Sequence, residues 1–100
     1  MIGVAYYRIS LLDSAFNTFQ EMSISGERLA ISRDEDTANE GKDILGIAYG
    51  NMGIVYRIRG DLKTARKYYN KALDLFTQIG AQDKIIWCRD LIAVLDSLEQ

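Results

Sequence analysis

The 100-residue sequence predicts an all-α protein built of antiparallel helix hairpins, about five helices in one domain spanning 1–100. Three observations carry this. Apolar residues recur at the i, i+3, i+4 and i+7 steps of helix faces along nearly the whole chain. There is no proline to break a helix. And Gly26, Gly41, Gly60 and Gly80 stand near polar clusters, the places where a helical chain can turn.

The first predicted helix covers Ile2 to Ile9, where Ile2, Val4, Ala5, Tyr6 and Ile9 include the steps of one face. Asp13 reads as the N-cap of a second, long helix reaching about Arg33, striped by Ala15, Phe16, Phe19, Met22 and Leu29, with Gly26 as its weak point. Arg33 to Asp43 is polar throughout and is expected to hold a loop, with Thr37 or Asn39 capping the helix after it. That third helix, Glu40 to Arg59, carries Ile44, Ile47, Ala48, Met52, Val55 and Tyr56. Gly60 fits a left-handed position after its end, and Asp61 an N-cap for the fourth helix, Leu62 to Ile79. Gly80 ends that helix and Asp83 is expected to cap a fifth, Lys84 to Leu98, with Ile85, Trp87, Cys88, Leu91, Ile92 and Leu95 apolar. Short connections of this kind join antiparallel neighbours.

Composition narrows function by exclusion. Net charge is −2, with acids and bases interspersed, so nucleic acid and anionic membranes are poor partners. No apolar run approaches the roughly 20 residues of a membrane span, and the first residues lack the basic region and cleavage site of a signal peptide. Cys88 is the single cysteine, which suits a reducing compartment; the expected location is the cytoplasm. Without histidine, the commonest general base and metal ligand is missing. The carboxylates Glu27, Asp34, Glu35, Asp36 and Glu40 lack calcium-loop spacing and read as a solvated surface. Cys88 beside Arg89 reads as a buried small hydrophobe rather than an activated thiol. No enzyme activity, cofactor or metal is expected. The bases Arg57, Arg59, Lys63, Arg66, Lys67 and Lys71, interleaved with Tyr68 and Tyr69, read as a solvated face, or as a surface for an acidic protein segment.

Laid on itself with an offset of 50, the chain pairs Gly3 with Gly53, Tyr6 with Tyr56, Ser10 with Gly60, Leu12 with Leu62, Ala15 with Ala65, Phe19 with Tyr69 and Met22 with Ala72. This has the look of a duplicated hairpin. The stretch Tyr49, Met52, Gly53, Tyr56, Gly60, Ala65, Tyr69 and Ala72 resembles the tetratricopeptide repeat, and its long tail is similar to the extended-repeat type of about 40 residues. The proline common at the end of such a repeat is absent. Residues 1–34 then form a partial or divergent first repeat, 46–79 a clear one, and 82–99 a cap or the start of a third, with Ala93 where Gly53 stood. Gly53 and Ala65 would let two helix backbones approach, while Gly50, with no packing role in the repeat, is expected on an open face.

The resemblance implies a short solenoid whose concave groove takes a peptide or helix of a partner protein. The residues mapping to that lining are Ile47, Gly50, Asn51, Ile54, Arg57 and Ile58. Asn51 stands where the family often bonds a partner's backbone. The basic residues of the carboxylate-clamp type are missing. The expected role is a non-catalytic protein-interaction module. The alternatives are a self-assembling, homo-oligomeric scaffold unit that buries a patch including Ile2, Tyr6, Tyr7 or the final helix, and, less favoured, a metal-binding or enzymatic domain.

Overall fold

A computed structural model describes residues 2–99, with side chains described from Ser10 to Glu99. The described residues form four α-helices and no strand: α1 (Ile2–Ala30), α2 (Glu35–Ile58), α3 (Leu62–Ile79) and α4 (Gln82–Glu99). Each packs along the next in chain order.

Four helices replace the five expected because the first two are one. α1 passes through Ser10–Asp13 without a break, so no first hairpin forms there. The offset of 50 sets Ser10 against Gly60, but Gly60 turns the chain at φ 91°, a conformation only glycine adopts at no steric cost. Serine continues the helix instead. Asp13 caps nothing; its carboxylate pairs with Arg59 across the α1–α2 interface.

The polar stretch 33–43 is also mostly helix. α2 begins at Glu35 because Asp34 is its N-cap, accepting bonds from the Thr37 amide (3.0 Å) and hydroxyl (2.6 Å). Those two bonds hold the Asp34 carboxyl below the usual range. Thr37 thus donates to the cap rather than providing it. Glu35 and Asp36 add negative charge where the helix dipole favours it.

The next two turns follow the glycines as expected. After α2 the Asp61 amide bonds the Tyr56 carbonyl (2.9 Å) and the Gly60 amide bonds that of Arg57 (3.0 Å), the paired closure of a left-handed C-terminal turn. Asp61 then caps α3 through the Thr64 amide (3.1 Å). α3 closes the same way at Gly80, φ 69°. Asp83 is not the cap of α4. The Ala81 carbonyl already accepts from Ile85 (2.9 Å), leaving Asp83 inside the first turn.

The remaining glycines set how closely the helices approach. A Cβ on Gly26 would lie 2.8 Å from the Leu45 nitrogen, and one on Gly41 2.3 Å from that of Ala30. α1 and α2 therefore touch backbone to backbone; neither glycine is a turn or a weak point. On the side of α2 facing α3, a Cβ at Gly46 would meet the Phe76 ring at 2.7 Å, and one at Gly53 the Tyr69 ring at 2.6 Å. The Gly53–Ala65 crossing is as expected, with the Ala65 carbonyl 3.2 Å away.

Two buried clusters join α3 to α4: Ala72, Phe76, Ile85 and Cys88 near one end, and Ala65, Tyr69 and Leu95 near the other. Arg66 bridges to Asp96 and Glu99, and Lys84 to Asp43, so charges at the rim set the register of α4 while apolar burial supplies most of the stability. Within the second cluster the Tyr69 hydroxyl is buried with no hydrogen-bond partner among the described residues. An unpaired buried polar group is destabilising. Tyr69→Phe is therefore expected to raise stability by about 1 kcal/mol, read as a higher denaturant midpoint at unchanged slope. A drop of that size would show that the hydroxyl is bonded.

Candidate functional site

The groove residues expected from the sequence occupy α2, and the structure divides them. Asn51, Ile54 and Ile58 follow the i, i+3 and i+7 steps of one strip, with Ile47 one turn before. Ile47 is half-buried against the Phe76 cluster and Ile54 against the Tyr69 cluster. Ile58 is 56% exposed. The half-buried Asn51 donates its side-chain amide to the Ile47 carbonyl (2.9 Å), which orients the side chain and leaves its own carbonyl oxygen to accept. Arg57 is half-buried and close enough to Tyr69 to favour the ionised phenol, although burial dominates and raises that phenol above its ordinary value.

Gly50 is not on an open face. A Cβ there would lie 2.5 Å from the Trp87 ring, so α4 covers it and Gly50 offers no surface of its own. Its role is the close approach of α4, which no pairing of α2 with α3 alone would reveal.

Sequence reasoning passed over α4 as part of this face. Trp87, Leu91, Val94 and Leu98 lie at the i, i+4, i+7 and i+11 steps of α4. Trp87 packs on the same cluster as Ile47, and Leu91 on the same cluster as Ile54. Val94 and Leu98 are 47% and 55% exposed. The signal was present: the shift of 40 that relates Gly53 to Ala93 also carries Ile47, Asn51, Ile54 and Ile58 onto these four residues. The joint face is an apolar strip, aliphatic except for Trp87, with one amide and one guanidinium on the α2 side.

The chemistry elsewhere is sparse. Burial pushes the Cys88 thiol up to about 11, so it is protonated and unreactive at neutral pH. Among the described residues no group of three cysteine, aspartate or glutamate side chains converges on a point that could hold a metal. No helix is long and apolar enough to cross a membrane among them.

No curated protein and no solved structure matches the chain. The family model for the tetratricopeptide repeat matches residues 44–100, which contain the C-terminal part of α2 together with α3 and α4. That region holds the Gly53–Ala65 crossing, the Gly60 turn and the helix that covers Gly50, and it is more than half of the chain. This protein belongs to the tetratricopeptide repeat family.

Proposed function

We propose that the chain is a non-catalytic protein-interaction module that holds a peptide or helix of a partner against the face shared by α2 and α4. Repeats of this family generally mediate protein–protein interaction. The observation that carries the specific reading is the exposed aliphatic strip of Ile58, Val94 and Leu98 beside an asparagine with a free carbonyl oxygen. An apolar anchor gains burial on the strip, and a backbone N–H of the partner can donate to Asn51. In this reading α2 and α3 form one repeat, and α4 stands as the first helix of the next in a short solenoid. The burial of Leu45, Ala48 and Val55 in α2 recurs 40 residues on in Ile85, Cys88 and Leu95, with Ile92 half-buried where Met52 is buried, which supports that arrangement.

Ile58→Asp combined with Val94→Asp tests the reading. Both sites are exposed, so melting should stay within about 0.5 kcal/mol of the wild type at each, while capture of partners is lost. A folded double variant that keeps every wild-type partner would move the surface elsewhere.

One observation favours self-assembly as a second reading. Leu11, Leu12, Ala15 and Ile58 line an apolar groove of about 440 Å³ between α1 and the end of α2. The patch expected around Ile2, Tyr6 and Tyr7 lies outside the residues whose side chains are described. Sedimentation at micromolar concentration separates the readings: a dimer supports self-assembly, an 11.3 kDa monomer removes it.

A further inference from the structure

On the opposite side of α2 from Asn51 and Ile58 lies a second groove, of about 380 Å³, between α1 and α3. Gln20, Ser23, Ile24 and Glu27 form one wall, Tyr68 and Lys71 the other, and Tyr49 and Met52 the floor. Its aromatic part is tightly built. Phe16 and Tyr56 meet edge to face with ring centres 5.4 Å apart, Tyr56 stacks on Tyr68 at 5.4 Å and 13°, and Tyr68 tilts against Tyr49 at 5.6 Å. The Tyr49 hydroxyl donates to Glu27 (3.2 Å), which ties the floor to the α1 wall.

Charge on the α3 wall is the informative feature. Arg59, Arg66 and Lys84 all meet carboxylates at helix interfaces. Lys63, Lys67 and Lys71 succeed one another a turn apart along α3, exposed, and none has a carboxylate within ion-pair distance among the described residues. Lys71 instead stands over the Tyr68 and Tyr49 rings, at 5.2 and 5.5 Å, which places its ammonium at the lip of the groove. Ile24, 50% exposed, faces it from the α1 wall. Lys63 and Lys67 lie near enough to Asp61 to help hold its carboxyl down, but without ion pairs of their own all three lysines keep exposed ammonium groups. An apolar spot bordered by them is complementary to an apolar residue flanked by acids.

We propose that the groove between α1 and α3 is a second docking surface, taking an acidic peptide segment that presses an aliphatic anchor between Ile24 and Tyr68 and sets its carboxylates against Lys71, Lys67 and Lys63. The surface is independent of the α2–α4 face and stands or falls separately from it. A peptide fits better than single-stranded nucleic acid, the other polymer that combines negative charge with flat apolar groups. Base stacking needs an open ring face. Here the tyrosines stack on one another and Lys71 covers the faces of two of them.

The test is amide chemical-shift mapping of the full chain with a synthetic amphipathic peptide bearing leucines at helical spacing and glutamates elsewhere. Its counterpart replaces the glutamates with lysines. The acidic probe should shift Ser23, Ile24, Tyr68 and Lys71 saturably, and the lysine counterpart should not. Lys67→Glu with Lys71→Glu should weaken the acidic probe about tenfold or more. Because Lys71 also contacts two rings, Ile24→Asp on the opposite wall is the second variant; it should weaken the probe without touching those contacts. Four results would overturn the proposal: no saturable shift, equal binding of the lysine counterpart, shifts at Asn51, Ile58 and Val94 instead, or an oligothymidylate shifting the groove residues when the acidic peptide does not.

Discussion

Gly41→Ala is expected to lower stability by about 3 kcal/mol or more. Helix propensity alone predicts the reverse, a gain of about 1 kcal/mol for alanine in a helix interior. Packing wins because of what the new methyl meets. It would lie 2.3 Å from the Ala30 nitrogen, 2.6 Å from the Leu29 carbonyl carbon and 2.7 Å from the Gly26 oxygen. All three are backbone atoms, so no rotamer change gives relief. α1 and α2 must separate along the contact, and Leu45 loses its burial with them. Chemical denaturation with the slope held constant reads the effect. A variant as stable as the wild type would mean that the two helices do not cross at these glycines.

Gly53→Leu is the second large effect, about 3 kcal/mol at the upper end of overpacking costs. Its Cβ alone would stand 2.6 Å from the Tyr69 ring and 3.2 Å from the Ala65 carbonyl. Tyr69 is fully buried between α2, α3 and α4, so the ring has little room to move. The interaction can be isolated. Tyr69→Ala costs about 3–5 kcal/mol by itself, but in the Gly53→Leu background part of that loss should be offset as leucine enters the vacated space. Strictly additive losses would contradict a direct contact between the two positions.

These glycines also show where the sequence was legible and where it was not. Gly60 and Gly80 announce themselves because each sits between a helical pattern and a capping or polar segment, and their turns are local. Gly26 and Gly41 look the same in sequence, but each is defined by a helix that lies elsewhere in space. Local reading made one a weak point and the other a turn. Gly50 failed for the same reason, since its neighbour Trp87 lies 37 positions on. Asp13 resembles a cap because short acidic side chains favour caps. Its partner Arg59 belongs to another helix, and nothing nearby stops α1 from running through. The polar run 33–43 read as loop because polarity marks exposure more surely than it marks the end of a helix. Its N-terminal cap, Asp34, lay inside the run.

The binding face divides along the same line. The α2 strip of Ile47, Asn51, Ile54 and Ile58 could be read from the repeat resemblance. Trp87, Leu91, Val94 and Leu98 required that the 40-residue spacing be applied to the whole strip rather than to one glycine. Arg57 was placed on the face by the same resemblance, but its ionic influence on Tyr69 arises only from the packing of α3 against α2.

The most direct measurement is a methyl spectrum of the isotope-labelled chain, recorded with and without the first partner captured by the wild type. A partner held on the α2–α4 face shifts the methyls of Ile54, Leu91, Val94 and Leu98 in proportion to occupancy, and leaves the exposed Ile31 and the buried Leu45 in place. Shifts confined to Leu11, Leu12 or Ile24, with the α2–α4 methyls unmoved at saturation, would contradict that binding mode.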